Sequence, residues 1–280
     1  MKVSLLLATV SRTTEVESFI RSIARDGSEP EIELVVVDQN PDERLNSIIA
    51  AIPPATMSVV HIRAPKRGLS FARNVGLEAC SGDIVAFPDD DCWYESSTIS
   101  EVVDWFGRNA SQQAGYASWP ELSMSERLPT ISRRDARRFQ VRLPSSIQLF
   151  FRRETIGTLK GFDESLGLGR YYGAGEETDL ILRVLDREAE LKPIPAARVH
   201  HLYDPASLAR DFDERALTAR QRGTGALYAK HALEPWVISR GFLAPVISGL
   251  LPSGSLRYGW AVSKGRVSGF RSWRAGNERV

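Results

Sequence analysis

The chain has little of what would make several function classes simple to assign. Two cysteines among 280 residues, Cys80 and Cys92, build no disulfide framework and match no metal-binding spacing. A reducing compartment is therefore expected, with the cytoplasm as the location. Opposite charges nearly cancel, with 36 Lys and Arg against 35 Asp and Glu. A net charge of +1 excludes electrostatic nucleic-acid binding by the molecule as a whole. No apolar run approaches the roughly 20 residues that span a bilayer. The opening MKVSLLLATVSR has too short an apolar run, and no small-x-small site, for a secretory leader. It is expected to be a first β-strand. Neither an internal repeat nor a low-complexity linker interrupts the chain.

What is present is an ordinary globular composition, 42% hydrophobic and 25% charged, with enough length for a sizeable core. The first half alternates. VSLLLA (3–8), LVVVD (34–38), SVVHIR (58–63) and DIVAF (83–87) are strand-like runs. Between them lie a helix with Val16, Phe19, Ile20 and Ile23 on one face, capped by Thr13 or Thr14, and a short helix around Leu45–Ala51. A third helix spans SFARNVGLEAC (70–80) and is closed by Ser81-Gly82. Apolar, non-alternating strands separated by helices predict a mostly parallel α/β sheet covered on both faces. The second half predicts a strand at SIQLFFRR (145–153), a glycine-rich loop at 161–175 and a helix over Glu177–Arg187. A long polar helix follows over Ala206–His231, interrupted at RGTG (222–225). One main domain over 1–205, with halves at about 1–92 and 93–205, is followed by a helical, basic extension over 206–280.

In such sheets ligands bind at the carboxyl ends of the strands. FPDDDCWY (87–94) places Asp89, Asp90 and Asp91 at one such end, and Asp38 stands at another. Three adjacent acids suit a hard divalent cation with oxygen ligands, or an acidic turn that caps the next helix. Glu176, Glu177 and Asp179 begin a helix, as catalytic carboxylates or as compensation of its dipole. His200-His201 can ligate metal or serve as ordinary surface or core residues. Lys66, Arg67 and Gly68 precede the helix that carries Arg73 and Asn74, either as a phosphate or sugar site or as a solvated turn.

Taken in order, VSLLLATVSRT, ELVVVDQN, RGLSFARNVGLEACSGDIVAFPDDD, LKGFDESLG and GAGEETDLILRVL resemble family 2 glycosyltransferases with the GT-A fold, which is Rossmann-like. The resemblance covers about residues 2–205 and is most specific from Gly68 to Asp91, with weaker support at RQRGTGALYAKH. It implies an inverting, metal-dependent transfer of a sugar from a UDP-, dTDP- or GDP-linked donor to a glycan or lipid-linked acceptor. Asp38 would read the base, in a pocket lined by Thr9, Ser11 and Arg12. Asp89 and Asp91 would form the DxD motif around Asp90. Asp91 would be the direct ligand of Mn²⁺ or Mg²⁺, and Asp89 would meet ribose or metal. Gly68, Arg73 and Asn74 would lie near the donor, and His200 or His201 would complete the metal shell. Glu177, or else Glu176, would be the base. Trp119, Gly175 and Asp179 would face the acceptor. The chain departs from the family pattern in Ala8-Thr9-Val10-Ser11-Arg12, which lacks a base-stacking aromatic, and in Gln39-Asn40. Pro88 precedes the acids, and Glu177 stands where Asp is usual.

Two basic stretches stand out. Arg133–Arg153 holds seven arginines and one acid, as an anionic-acceptor surface or a solvated face. The stretch from Val237 onward carries a net +6. WVISRGFLAPVISGLL (236–251) with that basic tail reads either as a peripheral contact with the inner face of the cell membrane or as a helix packed on the main domain. A nucleotidyltransferase would need a phosphate-cradling glycine loop after the first strand, which SRTTEVE lacks. A non-catalytic glycan-binding or nucleotide-binding scaffold is the other alternative, and the retained acids weigh against it.

Overall fold

The computed structural model describes residues 1–24, 30–64, 66–122, 128–188, 190–201, 213–252 and 254–276. The apolar runs form β1 (Val3–Thr9), β2 (Ile32–Asp38), β3 (Ser58–Arg63) and β4 (Ile84–Ala86). β1 is central, parallel to β2 on one side and to β4 on the other, and β3 is parallel to β2 outside it. Connections therefore leave β1 in opposite directions, which opens a crevice at its carboxyl end.

Successive residues of β1 and β2 enter opposite cores, as strand pleating requires. Val3, Leu5, Leu7, Leu34 and Val36 pack with Val16, Phe19 and Ile23 of α1 (Thr14–Ile23). Leu6, Val35 and Val37 pack on the other face with Ala72 of α3 (Leu69–Ala79). A short α2 (Asn46–Ala50) lies between β2 and β3.

The second half is mixed. β5 (Cys92–Tyr94), α4 (Thr98–Arg108), β6 (Ala114–Ser118), β7 (Ile131–Ser132) and α5 (Arg133–Arg137) come first. β8 (Leu149–Arg152), α6 (Arg153–Thr158), α7 (Glu176–Leu185) and β9 (Glu190–His201) follow. The nine strands form one sheet in the order β3-β2-β1-β4-β8-β6-β9-β5, with β7 pairing β9 off that path. β8 is antiparallel to both β4 and β6, and β9 is parallel to β6. Three helices end the described chain: α8 (Glu214–Lys230), α9 (Pro235–Gly249) and α10 (Leu256–Arg274).

Several local expectations are corrected. The Thr13 side chain makes no cap bond to α1. Gly82 does not end α3 through a left-handed turn. It lets the chain pass Ser4, whose backbone N would lie 2.7 Å from a Cβ there. The strand expected over 145–153 is a single 3₁₀ turn, Ser146–Gln148, followed by β8. α8 runs unbroken through 222–225, because Gly223 and Gly225 are packing positions: a Cβ on either would collide with the carbonyl of Ala174 or Arg266. The expected start of that helix at Ala206, and the boundary at 205, lie outside the described residues. Cys80 and Cys92 are free and buried.

Candidate active site

The carboxyl ends of β1, β2 and β4 converge at the crevice. Thr9 Oγ1 donates to Asp90 Oδ2 at 2.6 Å, tying the end of β1 to the acid cluster after β4. Arg12 reaches back from the β1–α1 loop, with Nη1 2.6 Å from Asp90 Oδ1 and also in contact with Asp91. His201 Nε2, at the end of β9, lies 3.0 Å from the other oxygen of Asp91. Arg73 on α3 places Nη2 3.2 Å from Asp89 Oδ1 and Nη1 3.4 Å from Glu176 Oε1. It is only 1% exposed and sits over the rings of Phe87 and Phe162. A buried guanidinium must be paired, so Arg73 fixes the start of α7 against the end of β4. Adjacent acids thus tolerate one another because Arg12, Arg73 and His201 each hold one or two of them.

Electrostatics separate the three aspartates. Desolvation raises Asp89 and Asp90, more than Arg73, Thr9 and Arg12 lower them. Asp91 is also partly desolvated, but His201 and Arg12 bring it down to about 2. Arg12 and His201 hold its two oxygens, so a divalent cation there would replace one of these partners. Adjacent residues of a strand point to opposite faces, which distinguishes the two histidines. His201 faces Asp91. His200 stacks on Trp93 and bonds Glu121 and Glu95, away from it. Among the described residues no three His, Cys, Asp or Glu side chains form a ready metal cluster. Asp91 and His201 supply an oxygen and a nitrogen, which fits a cation that completes its shell with phosphate oxygens and water.

The far wall is the glycine-rich loop. Gly167 and Gly175 have φ of 106° and 101°, backbone that favours glycine. A Cβ on Gly167 would lie 2.8 Å from Ser70 Oγ and 3.2 Å from Glu176 Oε2, so the loop lies directly on α3 and α7. Burial and the neighbouring Glu176 carboxylate raise the pKa of Glu177 well above the ordinary carboxylate range. The half-open cleft has a volume of about 550 Å³ and is lined by Thr9, Arg12, Gln39, Arg67, Gly68, Asp89, Asp90, Asp91, His201 and Arg220.

Several other expected site residues are held by protein partners in the structure. Asp38 is fully buried, with Oδ1 accepting from Asn40 N and Nδ2 at 2.8 Å and Oδ2 3.2 Å from His61. Asn40 in turn accepts from Ser11 N at 2.6 Å, holding Ser11 at φ 67°. Asp38 thereby shapes the pocket loop, and Gln39 is the neighbour that faces the cleft. Asn74 staples the loop: its amide donates to Phe162 O and Glu164 and accepts from Phe162 N. Asp179 is not open to an acceptor. It is fully buried between Arg183, Lys230 and His231 at 2.7–2.9 Å. Gly175 caps α7 against Leu227. Trp119 packs edge-on to His201 and lines a neighbouring apolar pocket with Arg142. Arg220 of α8 was not singled out from sequence. Its only signal is the weakly matching RQRGTGALYAKH.

Residues 4–158 match the family described as Glycosyl transferase family 2, more than half of the chain. The chain belongs to this family. The solved structures it resembles share the GT-A fold and sequence identities too low to show more than fold. A mannosyltransferase from Pyrobaculum calidifontis, solved with GDP-Man and Mn²⁺, superposes with a TM-score of 0.65 at 15% identity, over 99% of this chain and 88% of that one. The Mycobacterium tuberculosis glucosyl-3-phosphoglycerate synthase, solved with Mn²⁺, UDP and phosphoglyceric acid, gives 0.54 at 20% identity, over 83% and 79%. Among curated proteins, a glucosyl-dolichyl phosphate glucuronosyltransferase from Haloferax volcanii is 27% identical over 207 residues. That match spans 68% of this chain but only 65% of the relative's length.

Proposed function

We propose that this protein is an inverting glycosyltransferase that moves a sugar from a nucleoside-diphosphate donor to an acceptor hydroxyl, with Mn²⁺ or Mg²⁺ bound at Asp91 and His201. The observation that carries the reading is the bridge made by Arg73, which holds Asp89 at the end of the parallel strands and Glu176 at the start of α7. Asp91 and His201 line the cleft beside Asp89, and Glu177 follows Glu176 in α7. The cation would supply Lewis-acid neutralisation of the departing diphosphate. Arg12, Arg67 and Arg220 line the same cleft and are placed to meet diphosphate charge. Glu177 takes the acceptor proton as the hydroxyl attacks the anomeric carbon from the face opposite the leaving group. Attack from that face inverts the configuration. Two relatives in this fold carry nucleotide or nucleotide-sugar with Mn²⁺, which supports the donor class.

Calorimetric titration of UDP, GDP, dTDP and CDP, each with Mn²⁺ and with a chelator, tests the donor site. Binding of one nucleotide that weakens at least about tenfold in chelator is expected, a difference of about 1.4 kcal/mol. A folded protein that binds none of the four would leave a scaffold as the better reading.

A further inference from the structure

Helices α9 and α10 form an antiparallel hairpin with one apolar face packed inward and a second apolar face exposed. A Cβ on Gly249 would lie 2.8 Å from Ser255 O, one on Gly259 would collide with the carbonyl of Pro245, and Ser263 Oγ donates to Phe242 O at 2.6 Å. Inward, Gly241 on α9 and Gly259, Ala261, Ser263, Gly265 and Gly269 on α10 allow close approach, and Ile238, Phe242 and Phe270 pack with Tyr228, Leu233 and Val237. A second set of large apolar residues faces outward. Leu243, Ile247, Leu250, Leu251, Leu256 and Trp260 are each 50–68% exposed.

The outward residues are ordered. Trp236, Arg240, Leu243, Ile247 and Leu250 alternate steps of four and three, which is one face of a helix. Arg257, Trp260 and Lys264 continue that spacing on α10. In water, helices bury large apolar residues and leave a surface without contiguous patches. A second large apolar face, left uncovered by the protein and bordered by cations, suits burial at a lipid interface. Neither helix is long and apolar enough to cross a membrane.

Charge identifies the occupant. From Pro235 to Gly276 there are six cations and no acid. We infer that the α9–α10 hairpin is a docking surface for an anionic lipid bilayer. It lies in the plane of the interface, with leucines and isoleucine toward the acyl chains and Trp236 and Trp260 at headgroup depth. Lys264 meets the lipid phosphates, joined by Arg257 as it exchanges its exposed ion pair with Glu214 for phosphate. A second copy of this chain fits poorly, because a symmetric contact would press together two faces whose cations outnumber the flanking Glu214 and Glu234. The hairpin is also fixed to the rest of the molecule. Gly225 of α8 lies directly against Arg266, and Gly269 against Arg222. α8 carries Arg220 to the cleft, so a docked hairpin holds the cleft at a set height above the membrane. The surface stands independently of the transfer reaction. Together the two imply an acceptor carried in the bilayer.

The test is flotation of the full chain with phosphatidylcholine vesicles, with and without roughly one third phosphatidylglycerol, at low and high salt. Co-flotation with the anionic vesicles is expected, at least about tenfold weaker on neutral vesicles or in the double variant Ile247→Glu/Leu250→Glu. Arg44→Glu, which removes an exposed cation outside the hairpin, should leave flotation unchanged. Absence of flotation with anionic vesicles at low salt overturns the inference, as does undiminished flotation of a double variant whose melting temperature matches the wild type. Self-association in sedimentation that the double variant abolishes, without vesicle binding, makes a second copy the occupant. Nucleotide calorimetry on the same samples reads the donor site separately.

Discussion

Two carboxylates begin α7, and Arg73 holds only Glu176 directly. Burial, with Glu176 beside it, leaves Glu177 with a raised pKa, which makes it a stronger base once ionised. Glu177→Gln is expected to slow transfer by about 100-fold to 10,000-fold while nucleotide binding persists. The base must be ionised to act, so kcat/KM should fall as pH drops through the raised value. The acid limb then lies above the ordinary carboxylate range, and a rate that stays flat down to about pH 5 would contradict the assignment. The sign for stability is opposite. With the folded pKa above the unfolded one, this carboxyl favours the fold below the unfolded value and loses that contribution as pH rises toward the folded value. Urea unfolding should therefore find Glu177→Gln more stable by about 1 kcal/mol near pH 8, with little difference near pH 4. At this scale the sequence shows which residue types gather, since Asp89–Asp91, Arg12, Arg73 and His201 meet and Arg73 also reaches Glu176. It does not show where a side chain turns. Asp38 and Asn74 are strand-end and helix residues of the right kind, and their atoms are committed to Asn40, His61 and the Phe162 backbone.

At the scale of elements, legibility follows burial pattern. β1, β2 and β4 are largely apolar, buried runs, β3 is half-buried through Val59, Val60 and Ile62, and each lies within two residues of its expected bounds. β6, AGYAS, has no such run, and β5 contains only three residues next to the acid cluster, so neither carries a strand signal. Their pairing with β8 and β9 is a matter of long-range contact. Glycine is the other source of error. The RGTG stretch has the composition of a break, yet its glycines are contact points between helices. Gly225→Ala should push α8 from α10 and cost about 1–3 kcal/mol in urea unfolding. Gly157 in α6 has nothing within 4 Å of a Cβ, so Gly157→Ala should instead gain about 0.5–1 kcal/mol. Equal effects of the two would mean that α8 and α10 are not held at this distance. The hairpin gives no single hydropathy peak because large apolar residues stand on both of its faces, Phe242 and Phe270 inside and Leu243 and Ile247 outside.

For the whole molecule, the question is whether the C-terminal helices and the sheet unfold together. Their junction is built from several unlike contacts. Asp179 of α7 meets Lys230 at the end of α8 and His231 just beyond it. Gly173 N donates to Ala219 O at 3.0 Å, and Arg222 Nε to Tyr171 O at 2.9 Å. Leu166 and Tyr172 share a small core with Ala226 and Leu227. Burial alone would raise Asp179, but His231, Arg183 and Lys230 bring it down to about 2. Its contribution is therefore present above the unfolded value near 4 and lost as pH falls from about 4 to 2. Asp179→Asn leaves three cationic or ionisable groups facing a neutral amide, and removing one partner of a buried network costs about 3–5 kcal/mol. Trp93, Trp105 and Trp119 lie in the sheet half, and Trp236, Trp260 and Trp273 in the helices. Single-tryptophan variants can follow each half separately in urea. One coincident transition is expected, displaced to lower urea as a whole by Asp179→Asn at pH 7 and much less so near pH 2, where the aspartate is already half protonated. A helical transition that separates from the sheet in the wild type would show two units with a weak seam. In that case Arg220 would reach the cleft only when the helices are docked.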